Sequence, residues 1–324
     1  MHGWLIVDKP LGPGSTDIVS AVKRALRDGG YPKMKVGHGG TLDPLASGVL
    51  PVALGEATKL SGRMLDADKV YDFTIRFGEE TSTLDAEGEV VMTSDMRPTL
   101  ADMEAVLPRF TGAIEQIPPI YSALKVGGKR AYDLARAGEE VKLAARSVTI
   151  RSLALAPHPS IPSPEGEGRD EGKPLPFRGG VGVGAERSEV LNEITLTARV
   201  SKGTYIRALA RDIAYALDTV GHVTMLRRTK AGPFTLEQAI SLDKLREAAK
   251  ARELEQHLLP LTAGLDDIPA LPVTPDQAGA LRQGRTLIGI AAKPGLHLAI
   301  ENDVPVALVE LCEGELRVVR GFNL

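Results

Sequence analysis

The chain has 324 residues, 43% hydrophobic and 25% charged, the profile of an ordinary globular protein with one large domain and one small one. No apolar run approaches the ~18 residues of a membrane span. The N-terminus reaches Asp8 and Lys9 too soon for a signal peptide, and the single Cys312 excludes an internal disulfide or a cysteine-based zinc site, so a cytoplasmic protein is expected.

The net charge of −3 argues against indiscriminate nucleic-acid binding, but the charge is polarised. Seven Lys/Arg stand against two Asp between Arg199 and Gly232. Lys125, Lys129, Arg130 and Arg136 stand against Asp133 alone, while acid gathers from Glu79 to Glu89. A basic face of this kind can meet a phosphate backbone.

In chain order, Trp4 to Val7 reads as a buried strand and Asp8 to Gly14 as a loop. Ser15 and Thr16 are N-cap candidates for a helix carrying Ile18, Val19, Val22 and Leu26 and stopped by Gly29-Gly30. Its outward face holds Lys23, Arg24 and Arg27, which by default is a solvated face. Residues 37–50 then hold four glycines, a proline, a histidine and one carboxylate, a density that excludes a helix or a central strand. Val49 to Leu54 is a strand or buried segment, Leu60 to Leu65 a helix, and Val70 to Phe77 an alternating strand opened by Tyr71.

Gly78 to Val91 is turn-rich, with a hairpin near Glu87-Gly88. Thr99 caps a helix through Phe110. Gly127 to Arg130 forms a basic turn, Ala131 to Ala137 a short helix, and Val148 to Ala156 a strand. Pro157 to Ser188 holds six Pro and seven Gly in 32 residues, too little apolar surface to offset its ordering entropy, and is expected to be a disordered insertion between two strands. A strand from Ile194 to Val200, a helix from Ile206 to Leu217 and a strand from Val223 to Thr229 follow. Ser241 caps a long helix toward Leu259, and Thr274-Pro275 starts a short one ended by Gly284. Four β segments, Thr286–Ile290, Leu296–Ile300, Val304–Leu311 and Glu315–Arg320, suggest a small barrel-like appendix with its own core.

Among chemistries, no metal constellation, nucleophile elbow, dinucleotide fingerprint or phosphate loop is present. What remains is Asp43, an aromatic (Tyr71 or Tyr205) and the cation Arg207. Pro44 holds Asp43 extended on a glycine-lined loop, which suits a nucleophile or base, although Asp-Pro is equally an ordinary turn initiator. An arginine keeps such a carboxylate ionised, and an aromatic can stack on a nucleobase. The trio suits a substrate with a base and a sugar. A two-carboxylate glycosidase would need a second acid.

Gly37-His38-Gly39-Gly40-Thr41-Leu42-Asp43-Pro44-Leu45-Ala46-Ser47-Gly48-Val49-Leu50-Pro51 closely resembles the signature of the TruB family of tRNA pseudouridine synthases. Further matching blocks follow in the family's order: Asp8-Lys9-Pro10, Leu54 to Lys59, Lys69-Val70-Tyr71, Gln116 to Lys125, Ser201 to Arg207 and Met225 to Arg228. The resemblance covers roughly Gly3 to Leu261 without the insertion. Gly12 to Thr16 departs slightly from the usual loop.

The resemblance implies an α/β (α+β) pseudouridine synthase fold with a mixed, largely antiparallel sheet over residues 1–265 and a β-rich PUA-like RNA-binding domain at 270–324. It implies conversion of the T-loop uridine 55 of tRNA to pseudouridine, by a monomer without cofactor or metal. Asp43 matches the catalytic aspartate, by attack at C1′ or removal of a C2′ proton. Tyr71 matches the stacking tyrosine, Arg207 the aspartate's counter-ion, and Tyr205 and Leu226 the uridine pocket. His38 matches the side chain that fills the flipped nucleotide's place. Lys9, Lys125 and Arg227 match phosphate or structural contacts. The rival readings are a tRNA-binding folding helper with secondary catalysis and a nucleoside-cleaving hydrolase.

Overall fold

A computed structural model describes residues 1–122, 124–139, 141–156 and 190–324. The chain forms two compact units. One joins Met1–Pro44, Gly48–Ala67 and Lys230–Leu324; the other comprises Leu45–Ser47 and Asp68–Thr229.

In the first unit, the strand Gly3–Lys9 is buried on both faces, which its unbroken apolar run requires. It pairs antiparallel with Ala46–Leu54 on one side and Leu258–Pro260 on the other. Trp4 donates from Nε1 to the Leu261 carbonyl at 3.2 Å, and its ring tilts against Phe234 with centroids 5.4 Å apart. The strand Ala46–Leu54 begins three residues before the expected Val49 and lies between Gly3–Lys9 and the short strand Val36–His38. Both ends of the glycine-rich stretch are therefore strand, against the expectation. Gly48 takes a positive φ of 100° opposite Lys9, and Pro51, which lacks an N–H, uses its carbonyl to accept from Gly39 N–H at 2.8 Å.

The helix Ser15–Asp28 forms with Gly14, not Ser15 or Thr16, at its N-cap, and Asp17 accepts from the Gly14 N–H at 2.9 Å. The helix expected to run from Ser241 toward Leu259 is cut short. Leu242–Ala251 ends where Arg252 turns left-handed (φ 60°), and two short turns and the strand Leu258–Pro260 follow. The helix after Thr99 spans Leu100–Val106 and tightens into a 3₁₀ turn at Leu107–Phe110, where Pro108 lacks the donor to continue it.

The C-terminal segment forms a five-stranded sheet in the order Ala270–Pro272, Gly295–Glu301, Val304–Cys312, Glu315–Gly321, Leu287–Ile288. Ala270–Pro272, a strand absent from the sequence reading, runs parallel to Gly295–Glu301. Alternation gives the sheet two apolar faces. Ala299, Val306, Ala307 and Val309 form a core with Ala278 and Leu281 of the helix Pro275–Arg282, while Leu298, Leu308 and Phe322 join the cluster of Trp4, Ile6 and Val49.

The second unit carries strands in the order Gly221–Ala231, Lys69–Phe77, Glu193–Val200, Arg146–Leu155, Gly112–Gln116. The last three pairings along this run are antiparallel, and helices Leu100–Val106 and Ile206–Ala216 bury Met103, Leu209 and Ile213 against Phe73, Ile75 and Leu196. The hairpin after Gly78 pairs Glu79–Thr81 with Val90–Thr93.

The expected insertion, Pro157 to Ser188, lies outside the described residues. The strands that flank it, Arg146–Leu155 and Glu193–Val200, are direct antiparallel neighbours with Leu155 opposite Leu196. Antiparallel neighbours need only a short turn between them. Replacing residues 157–188 by a short turn is therefore expected to shift the thermal unfolding midpoint by no more than about 2 °C and to leave turnover within twofold. A larger loss of turnover would assign the segment a part in substrate binding.

Candidate active site

The backbone around Asp43 is clasped on both sides. Ser15 Oγ accepts from the Leu42 N–H at 2.7 Å and donates to the Leu42 carbonyl at 3.1 Å. Lys9 donates from Nζ to the carbonyls of Pro10 at 2.9 Å and Pro44 at 3.2 Å, and the Gly12 N–H adds a bond to Pro44 O at 3.0 Å. Leu42 is buried, so the residue before the carboxylate is anchored in the core while Asp43 itself stays half-buried. Lys9 is 0% exposed. It ties the loop from inside through backbone carbonyls, in keeping with the structural half of its expected role as a phosphate or structural contact.

His38 ends the short strand Val36–His38 opposite Val52 and is half-buried. At the next residue the chain must pass close to the helix Ser61–Asp66. A Cβ on Gly39 would lie 2.6 Å from Met64 Cβ, so only glycine fits there without a shift.

In the second unit, Tyr71 sits on Lys69–Phe77 opposite Ala198, and Tyr71 and Leu226 pack against the same apolar core while remaining half-buried. Tyr205 caps the helix Ile206–Ala216. Its N–H donates to Gln116 Oε1 at 2.8 Å, its carbonyl accepts from Gln116 Nε2 at 3.1 Å, and the Arg146 guanidinium lies 4.8 Å from its ring centroid. This reciprocal clasp fixes the helix start and the Gln116 segment to each other. Arg211 continues it, donating to the Ile117 carbonyl at 3.1 Å while paired with Asp212 at 2.7 Å. Burial pushes the Asp212 carboxyl above its ordinary value against the pull of Arg211.

Arg207 is 6% exposed, and its guanidinium is held by side-chain and backbone groups. Its Nη1 pairs with Asp85 Oδ2 at 3.2 Å and donates to the Thr83 carbonyl at 2.7 Å, and its Nη2 donates to the Tyr121 carbonyl at 3.1 Å. Asp85 was absent from the sequence reading. It is 5% exposed, and Oδ1 accepts from Thr83 Oγ1 at 2.5 Å and from the Glu87 N–H at 3.1 Å. Its turn is docked on Gly221–Ala231, because Leu84 adopts φ 62° and accepts from the Val223 N–H at 3.1 Å. A signal for it existed. An arginine inside an apolar helix start, Ile206-Arg207-Ala208-Leu209-Ala210, demands a buried counter-charge.

Arg227 is half-buried and donates to Ser47 Oγ at 3.3 Å. Lys125 is exposed on a two-residue hairpin opposite Arg130, beside Lys129. Among the described residues, no group of three or more His, Cys, Asp or Glu is arranged to hold a metal, and no helix is long and apolar enough to cross a membrane.

The geometry brings His38, Asp43 and Lys9 onto one framework and Tyr71, Leu226, Tyr205 and Arg207 onto another. Solved structures share this architecture. An H/ACA RNP bound to a substrate RNA containing 2'-deoxyuridine matches with a TM-score of 0.67 and 23% identity, covering 99% of this chain and 85% of that one. A Cbf5-Nop10-Gar1 complex matches at 0.66 and 24%, covering 99% and 84%. The fold is of the pseudouridine synthase class. Residues 28–160 match the model of the TruB family pseudouridylate synthase N-terminal domain, and residues 207–266 that of the tRNA pseudouridylate synthase B C-terminal domain. A tRNA pseudouridine synthase B of Zymomonas mobilis is 58% identical over 100% of this chain and 96% of its own length, and one of Novosphingobium aromaticivorans 59% identical over 100% and 98%. The chain belongs to the TruB family of pseudouridylate synthases.

Proposed function

We propose that this chain isomerises uridine 55 in the T-loop of tRNA to pseudouridine, with Asp43 as the reacting carboxylate. Pseudouridine formation on tRNA follows from the family and from the names of relatives 58% and 59% identical across the whole chain. The observation that carries the assignment to Asp43 is the double clasp at Leu42 and Pro44, which holds one carboxylate at a fixed angle on a loop flanked by two strands.

The N1–C1′ bond breaks as Asp43 either bonds to C1′ or takes the C2′ proton, the base turns, and C5 bonds to C1′ as the Asp43–C1′ bond breaks or the proton returns to C2′. The C5 proton is then lost and N1 ends protonated. Nothing is oxidised or reduced, and the family resemblance implies neither cofactor nor metal. Arg207 is the counter-ion of Asp43 and shares its single positive charge with Asp85. Tyr71 stacks on the freed base, with Tyr205 and Leu226 closing the pocket against water. His38 fills the space the extruded nucleotide leaves. Lys125 and Arg227 meet phosphates. Residues 1–265 form the catalytic domain and 270–324 a PUA-like RNA-binding domain. The enzyme acts as a cytoplasmic monomer.

Mass spectrometry of a T-arm stem-loop RNA after reaction tests the chemistry. An unchanged intact mass together with pseudouridine in the nuclease digest is expected. Free uracil and an abasic strand would instead identify a hydrolase.

A further inference from the structure

Helices Ser15–Asp28 and Leu242–Ala251 pack together and enclose a surface cavity of about 330 Å³ lined by Ala21, Arg24, Ala25, Asp28, Arg246 and Lys250. Its frame is fixed by close approach and by polar ties. A Cβ on Gly29 would lie 2.2 Å from the Ala249 carbonyl oxygen, so the two helix ends meet backbone to backbone. Arg252 donates to the carbonyls of Gly29 at 3.2 Å and Gly30 at 3.1 Å, and the Tyr31 hydroxyl accepts from the Leu254 N–H at 3.2 Å.

On this rigid frame stand three exposed cations, Arg24, Arg246 and Lys250. Asp28, the carboxylate in the lining, is engaged by Arg27 at 3.1 Å, and Arg246 pairs with the exposed Asp243 at 2.9 Å. Among the described residues, neither Arg24 nor Lys250 has a carboxylate within ion-pair distance. Like charges gathered round one cavity repel, and an anion crossing its mouth relieves that repulsion. Lys23, also exposed on this helix, adds to the positive strip. The helix also connects this cavity to the loop of Asp43: Ser15, at its start, clasps Leu42. From Ser15 to Arg24 the helix advances about 13 Å, about four base-pair steps along one nucleic-acid strand.

We propose that this groove is a docking surface for the RNA phosphate backbone, gripping the bound RNA away from the reacting uridine through Arg24 and Lys250. The proposal rests on the reading of the chain as a tRNA-modifying enzyme. Its test is the salt dependence of tRNA binding by the wild type and by an Arg24→Gln/Lys250→Gln double variant between about 50 and 200 mM salt. Loss of two phosphate contacts is expected to weaken binding about tenfold at the low end and to make the slope of log K against log salt shallower by about 1.4–1.8. The charge-preserving double variant Arg24→Lys/Lys250→Arg is expected to keep the wild-type slope, which separates lost charge from damaged folding.

A neutralised variant with wild-type affinity and slope would overturn the proposal, as would a charge-preserving variant that loses slope equally. Pseudouridine is measured in the same tRNA. A wild type that forms none overturns the functional reading, whereas a neutralised variant that binds as wild type while the wild type reacts overturns the groove alone.

Discussion

Asp43→Asn is expected to abolish pseudouridine formation, lowering turnover by about 10⁴-fold or more, while tRNA affinity stays within about threefold of wild type. The asymmetry follows from the way the loop is held. The clasps around Asp43 use backbone atoms of Leu42 and Pro44, gripped by Ser15, Lys9 and Gly12. Asparagine has almost the same shape as aspartate and leaves these bonds in place. It removes the negative charge and the nucleophilic oxygen, so the loss falls on the bond-breaking step and not on docking. Single-turnover kinetics with filter binding checks both halves. A variant that reacts at a rate comparable to wild type would remove Asp43 from the chemistry.

Asp85→Asn is expected to carry the largest effect on stability. The Asp85 and Arg207 side chains are each 7% exposed, and asparagine leaves the guanidinium with only the neutral carbonyls of Thr83 and Tyr121 among these partners. Breaking this buried pair costs about 3–5 kcal/mol, a fall in unfolding midpoint on the order of 10 °C. Turnover should fall as well, because the Arg207 guanidinium would lose the carboxylate that holds it. Thermal denaturation followed by circular dichroism reads the first effect. A midpoint within about 2 °C of wild type would show that the pair does not hold Arg207.

Much of this framework can be read from local pattern. The alternation from Val70 to Phe77 and from Ile194 to Val200, and the helical spacing after Gly14, report faces that a single segment must bury, and those strands and that helix are present. Features that depend on distant partners were not legible. Ser15 looks like an N-cap, but Leu42 takes its hydroxyl into the interior. Lys9 reads equally as a phosphate or a structural contact, and the Pro44 carbonyl that holds it lies 35 residues along the chain. Asp85 hides in an acidic, turn-rich stretch because its partner lies on a helix far along the chain. Arg252 ends its helix in a left-handed conformation without the glycine that ordinarily marks such an end. The parallel strand Ala270–Pro272 is too short, and too rich in proline, to announce itself.

In the candidate site, spacing alone made Asp43 one turn residue among many. The family resemblance supplied its role, and the clasps at Leu42 and Pro44 supply a physical reason why the carboxylate would be poised. The central claim is tested most directly by mapping pseudouridine at single-nucleotide resolution in an unmodified tRNA transcript incubated with the wild-type protein. Pseudouridine at position 55, with the other uridines unchanged, is the expected result. A transcript left unmodified at position 55, or modified elsewhere, would contradict it.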